Sequence, residues 1–263
     1  MRRHVAAALA APLLLLAPSS PSVAATPFGP DSSSCVNAQA TITAGAGDPG
    51  LVIGTEGDDI IFVSGGNHEV RSLGGDDSVC VYFSNLIAAD LGNGDDELVL
   101  VNDTAADAGG LLDGGPGRDT IVALYDRTVL LNLANDQLSA RTKAASATFA
   151  IAAFDDASVS AGRATLVGNA SANAFSSYSC SAKVTGGKGG DAIWNTSMAW
   201  GTDFKPSPSC QGRFRFTAHG GPGSDRLFGR RFDEVLIGDK GRDVIDGGGG
   251  HDVCVGKVVR NCG

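Results

Sequence analysis

From Gly220 to Val255 the chain divides without remainder into nines: GGPGSDRLF, GRRFDEVLI, GDKGRDVID and GGGGHDVCV. Glycine holds the first position of every unit and the fourth of all but the second, where Phe232 stands. The sixth position carries Asp225, Glu234, Asp243 and Asp252, and the eighth carries Leu227, Leu236, Ile245 and Cys254. A tandem repeat this short constrains the fold more than any other feature of the chain. Its glycines let the backbone turn sharply, and its last three residues make a strand too short to stand alone. Such strands persist by stacking on copies of themselves, which pairs their backbone groups and buries the eighth residue. A flexible glycine-rich linker has no reason to keep an apolar residue in register.

The same template recurs upstream. GTEGDDIIF begins at Gly54, SLGGDDSVC at Ser72, LGNGDDELV at Leu91, GGPGRDTIV at Gly114 and GGKGGDAIW at Gly186, with Asp59, Asp77, Asp96, Asp119 and Asp191 in sixth place. Two copies are faded. VSGGNHEVR at 63–71 has His68 where the acid belongs, and GNASANAFS at 168–176 has Asn173. The starts at 54, 72, 91 and 114 advance by 18, then 19, then 23, and the start at 238 follows that at 220 by 18 again. Position 186 lies four steps of 18 beyond 114, with 168 in the same frame.

These motifs resemble the RTX, or haemolysin-type, calcium-binding nonapeptide repeat, GGxGxDxUx. The resemblance covers 220–255 continuously and 54–122 with insertions. It implies an all-β fold, a parallel β-roll or β-helix solenoid of stacked nonapeptide half-coils, two to a coil, with calcium between loops on the same side. Neighbouring loops are then two units apart, which puts Asp59, Asp77, Asp96, Asp119, Asp191, Asp225 and Asp243 in one column down one edge. His68, Glu234 and Asp252 fall on the other, poorer edge. Calcium takes six to eight oxygens, and the resemblance assigns its best site to the Asp225 and Asp243 side chains with the carbonyls of Gly220, Pro222, Asp239 and Gly241. A second site joins Asp59 to Asp77, and Asp77 with Asp96 forms another if the extra residue bulges on the far side. The Glu234/Asp252 site is the weaker, because Phe232 replaces a turn glycine. For every one of these acids the bland alternative is an Asx-turn cap. Asp58, Asp76 and Asp95 are read as facing water.

Residues 1–25 read as a secretory leader: Met1-Arg2-Arg3-His4 is positive, Val5–Ala17 is apolar and too short to span a bilayer, and Val23-Ala24-Ala25 fits a cleavage site. Export places six cysteines where disulfides persist; six allow 15 connectivities, and their order suggests Cys35 with Cys80, Cys180 with Cys210 and Cys254 with Cys262, of which only the last pair is close enough in sequence to be singled out. No CxxC spacing supports a thiolate metal site. Without the leader's two arginines, 18 basic residues face 29 acidic ones, a charge of about −11. Residues 26–125 hold 16 acidic residues and only two basic ones, Arg71 and Arg118. Abundant valine, isoleucine and leucine there argue against disorder and for carboxylates awaiting a cation. This charge makes nucleic acid a poor partner, and no later segment reads as transmembrane.

The chain accordingly divides into the leader (1–25), an N-terminal cap (26–53), a β-roll with insertions (54–122), degenerate coils (123–194), a disulfide-tied loop (195–219) and tandem repeats with a disulfide cap (220–263). No GxSxG, HExxH or Walker A motif occurs, and His68, His219 and His251 read as solvated turn residues. The expected protein is secreted, non-enzymatic and calcium-binding, its folding completed by calcium. RTX toxins and proteases carry these repeats behind a large effector domain and lack a cleaved leader, so their activities are not carried over. A second reading is a calcium-rigidified extracellular module that binds a polysaccharide or cell-surface polymer. A third, a calcium-dependent polysaccharide lyase, would use Arg141, Lys143, Arg163 or Lys183, but rests on fold analogy alone.

Overall fold

In the computed structural model, which describes Cys35, residues 39–101, 110–196, Cys210 and residues 214–263, the frame of nine becomes a chain winding between two sheets. The leader lies outside the described residues, as does most of the loop expected after 195. The first half runs β1 (Ile42–Ala44), β2 (Leu51–Ile53), β3 (Ile60–Ser64), β4 (Asn67–Arg71), β5 (Ser78–Tyr82), β6 (Asn85–Asp90), β7 (Glu97–Val101), β8 (Leu111–Asp113) and β9 (Asp119–Leu124). Odd strands stack in parallel in the first sheet and even strands in the second. The stacking begins at β1 and β2, so residues 42–53, read as part of a cap, already form a coil.

Each unit turns only a few side chains inward, as with Ile61 and Val63 on β3, which explains why stacking is obligatory. Burying a Val, Leu or Ile contributes about 1.5–3 kcal/mol, whereas ordering backbone costs roughly 1–2 kcal/mol per residue. Only shared backbone pairing and a continuous core offset that difference. In the first sheet Ile61, Val79, Leu98 and Ile121 lie in register, all fully buried. In the second, Val52, Val70, Ala89 and Leu112 do the same. The extra residue of the 72-to-91 step is absorbed on the far side: His68 faces Leu86, Glu69 faces Ala88, and the bulged Ile87 between them is 43% exposed.

The middle departs from the expected run of degenerate coils. After β9 come β10 (Thr128–Asn132), β11 (Gln137–Arg141) and β12 (Ser146–Ala152), a meander lying wholly in the second sheet. There β12 pairs parallel with β8, β11 runs antiparallel to both neighbours, and β10 pairs parallel with the second half of β13 (Phe154–Val167). The stretch from 114 to 186 is therefore three coils, the first doubled in length. β13 and β14 (Ala174–Thr185) each contribute their first half to the first sheet and their second half to the other, with no turn between.

The regular winding then resumes as β15 (Ala192–Asn195), β16 (Arg215–Gly223), β17 (Arg226–Phe228), β18 (Glu234–Gly241), β19 (Val244–Asp246), β20 (Val253–Val255) and β21 (Val258–Arg260). Residues 215–219, assigned to a loop, are strand. Phe175, Ile193, Leu227 and Ile245 continue the first inner column. The disulfides are Cys35–Cys80, Cys180–Cys210 and Cys254–Cys262, the pairing suggested by their order. The fold is an all-β roll, and among the described residues no helix is long and apolar enough to cross a membrane.

Candidate metal centre along the turn columns

The turns before first-sheet strands form one edge, and their sixth residues form a ladder. Asp59 donates its backbone N–H to Oδ1 of Asp77 at 2.8 Å, Asp77 to Asp96 at 2.8 Å, and Asp96 to Asp119 at 2.9 Å. Farther along, Asn173 donates to Asp191 at 2.9 Å, Asp191 to Asp225 at 2.8 Å, and Asp225 to Asp243 at 3.2 Å. One column down one edge is thus what the spacing expected. The longer steps, from Asp96 to Asp119 and from Asp191 to Asp225, do not break it, because the excess chain leaves from the far side. The fifth-position acids form a second ladder in the opposite sense: Oδ1 of Asp58 accepts from Asp76 N–H, Asp76 from Asp95, and Asp95 from Arg118. Asp58, Asp76 and Asp95 lie on the outer side of the turns, and the hydrogen bonds that link them are exposed.

Two kinds of glycine hold these turns. In many of the turns positions two and four take positive φ, as at Gly187 (109°) and Gly189 (121°), where a Cβ is disfavoured. The first-position glycine does not, and its role is space. A Cβ on Gly186 would overlap Oδ2 of Asp191 and lie 2.5 Å from the carbonyl oxygen of Gly220. On Gly54 it would meet Oδ2 of Asp59 and the Ser72 carbonyl, and on Gly229 the Glu234 carboxylate and the Gly247 carbonyl. A carboxylate oxygen and a carbonyl from the next coil therefore converge on each of these first glycines. The Gly220 carbonyl, assigned to the Asp225/Asp243 site, lies beside Asp191, one junction earlier. The Pro222 carbonyl likewise accepts from Gly189 N–H at 3.1 Å. Asp239 (φ 64°) and Gly241 (φ 147°) shape the exposed turn opposite them.

The second carboxylate oxygen is the anomaly. Among the described residues, Oδ2 of Asp77, Asp96, Asp119, Asp191 and Asp225 is buried with no hydrogen-bond partner, and so are Oε2 of Glu234 and Oδ2 of Asp252. A charged oxygen left this way costs several kcal/mol unless it is neutralised. Burial accordingly pushes the carboxyls of Asp77, Asp119 and Asp225 up to about 6, and those of Asp96 and Asp191 to about 7. Among the described residues no three His, Cys, Asp or Glu side chains gather as a metal cluster. A cation here would draw one or two carboxylates per site and take its remaining oxygens from the turn carbonyls. That donor set, all oxygen and partly backbone, suits calcium.

The members of the column are not equivalent. Asp59 has both oxygens engaged, by Thr41 Oγ1 at 2.7 Å, Thr55 N–H at 2.7 Å and Thr55 Oγ1 at 2.9 Å. Burial would raise its pKa, but these hydrogen bonds prevail and lower it. Asp59, at the end of the file, is thus the one aspartate of this column held by threonine hydroxyls. Asn173 is also self-sufficient, accepting from Asn169 N–H at 3.0 Å and donating to the Asp155 carbonyl at 2.7 Å. On the other edge Glu234 donates its N–H to Asp252 Oδ1 at 2.9 Å and accepts from Asn195 Nδ2 at 2.7 Å. Phe232 does not spoil that turn: its ring stacks on Phe214, centroids 4.3 Å apart. Burial, with the neighbouring Asp252, lifts Glu234 to about 7. His68, read as a solvated turn residue, is buried on β4 beside Leu86.

Between Asp119 and Asn173 the column is interrupted. The register puts Asp155 in the acid position, one step of 18 before Asn173, a count that would have found it in the sequence. Its coil has no full turn, only Ala153 (φ 57°) between β12 and β13. Where the turn is missing, a cleft of about 310 Å³ opens between Gly115–Gly117 and Asn169. Arg118 spans the gap. Its guanidinium makes a two-pronged pair with Asp156 at 2.9 and 2.7 Å and reaches the Ala172 carbonyl at 3.4 Å. The same Asp156 carboxylate accepts from Ala174 N–H at 2.7 Å.

Residues 51–79 and 219–254 match the family model of the RTX calcium-binding nonapeptide repeat, in four copies. No curated protein matches the chain.

Proposed function

We propose that this chain, which carries RTX calcium-binding nonapeptide repeats toward both ends, is a secreted, non-enzymatic calcium-binding β-roll whose folding is completed by the metal. Calcium binding follows from the repeats; what supports the stronger reading is the file of buried, unpartnered carboxylate oxygens. Those of the column belong to residues held by a backbone N–H through the other oxygen, so each carboxylate is aimed before any ligand arrives. The first glycine of the turn keeps that space open and the next coil's carbonyl shares it. Bound calcium supplies the positive charge that these oxygens lack. The expected ligands are Asp77, Asp96 and Asp119 in the first half, and Asp191, Asp225 and Asp243 with the carbonyls of Gly220, Pro222, Asp239 and Gly241 in the second. Glu234 and Asp252 add a site on the other edge. Asp96, Asp119 and Asp191 lie outside the matched residues and share the geometry of those inside.

Three disulfides support an extracellular setting. Calorimetric titration of the purified chain with calcium tests the reading. Several equivalents should bind, and Asp96→Ala and Asp225→Ala should each remove part of the heat. Calcium heats no larger than those of magnesium, which accommodates such irregular oxygen sets poorly, would sink it.

A further inference from the structure

We propose that the outer face of the second sheet is a docking surface for a linear acidic polysaccharide bearing one carboxylate per disaccharide. The register sets out a row across that face: Ser146, Arg141, Thr128, Arg163, Ser181, Arg215. Strands are about 4.8 Å apart, so the three arginines, on alternate strands, stand about 10 Å from one another. That interval is comparable to the advance of two sugar rings in an extended polysaccharide, and the hydroxyls between are suited to sugar hydroxyls. Further along the strands, Lys183 lies between Thr165 and Thr217 and adds a fourth cation.

All four cations are exposed, and among the described residues none takes part in an ion pair. Elsewhere the strong pairs are made: Arg118 with Asp156 and Arg71 with Glu69. The outward positions of β10, β11 and the second halves of β13 and β14 hold no carboxylate; Asp126, Asp136 and Asp239 lie at the margins of the face. In a chain of formal charge −9, four unneutralised cations on one flat face are the exception that asks for an anion. A nucleic acid fits worse. Each strand of a duplex brings a phosphate about every 3.4 Å of helix axis, a closer repeat than the arginine spacing, and the acidic edges of the roll repel it.

The surface depends on the fold and on no calcium ligand, so its failure and the failure of the calcium reading are separable. The full chain, in calcium-containing buffer, is titrated with hyaluronate oligosaccharides while circular dichroism on the same samples reports the fold. Saturable binding is expected, weakening with added salt as charges beyond a Debye length of about 8 Å are screened. Replacing Arg141, Arg163 and Arg215 together by serine should weaken it about tenfold, exposed charge pairs being individually weak. If that variant loses its β-signal, the pair Arg163→Ser and Arg163→Lys decides, with lysine retaining more affinity than serine. The proposal is overturned by folded protein that does not bind hyaluronate, by serine variants that bind as well as the parent, or by tighter binding to duplex DNA or anionic vesicles.

Discussion

Asn173 and Asp191 occupy the same place in successive coils and solve the same problem differently. The amide donates with one atom and accepts with the other, so it needs nothing more. The carboxylate accepts on Oδ1 and leaves Oδ2 against a carbonyl, two like partial charges facing each other. Asp191→Asn should therefore stabilise the metal-free protein by about 1–3 kcal/mol, the cost of a buried unsatisfied polar group, and remove one calcium equivalent. A melt in chelator that shows no gain for this variant is the contrary outcome. Gly186→Ala should lower stability by about 1–3 kcal/mol or more, from overpacking, with or without calcium. The sixth and eighth residues of the repeat announce these roles in the sequence. The first glycine does not, because conformational freedom and empty space both select glycine, and only the structure separates them.

The same residues set a pH dependence. Burial holds Asp77, Asp96, Asp119, Asp191, Asp225 and Glu234 at about 6 to 7 in the fold, against roughly 4 in an unfolded chain. Between those values the metal-free fold binds more protons than the unfolded state, so its stability is greatest below about pH 4 and falls as pH rises toward 7. Asp59, lowered instead, opposes this at acid pH. In chelator the melting temperature should rise as pH drops from about 7.5 to about 5; in saturating calcium it should fall, because protons compete with the metal. A melting temperature in chelator that is flat or falls with acidification would tell against buried, uncompensated carboxylates.

At the scale of elements, the meander β10–β12 is what the sequence concealed. Its turns are built on Asn132 and Thr142 and lack the glycines of the repeat, and the span from 114 to 186 happens to be a multiple of 18, so a doubled coil and two plain coils leave the same count. The consequence is a break in the acidic column, crossed by a guanidinium in place of a turn. Arg118→Ala would strand the buried Asp156 and should cost about 1–3 kcal/mol, less than a fully buried pair because Arg118 is half-exposed. Calcium should not restore that loss, whereas it should restore stability lost to carboxylate repulsion elsewhere. Equal rescue of both by calcium would show that the joint is not independent of the metal. By contrast, the bulge at Ile87 was legible, since a step of 19 in a frame of 18 demands one residue with nowhere to pair.

The whole molecule is two acidic ladders, residues 59–119 and 173–243, joined by a coil held by arginine. Repeat length, stacking and the strongly acidic first half were all readable from the chain, as was the Cys254–Cys262 bridge; the other two pairings needed the fold, because 45 and 30 residues separate their cysteines. The second edge was readable only in part. Phe232 marks a substitution in the turn, but its ring finds Phe214 and leaves Glu234 and Asp252 in ladder geometry. With the proposed calcium ligands spread over both ladders, metal should stabilise the molecule throughout and not at one end. Scanning calorimetry of the full chain across a calcium series, with a chelator control, tests this most directly. The melting temperature should climb with calcium, because each filled site adds RT ln(1 + [Ca]/Kd) to the stability, together with a gain of β-signal. Melts and spectra that coincide in calcium and in chelator would contradict a roll completed by the metal.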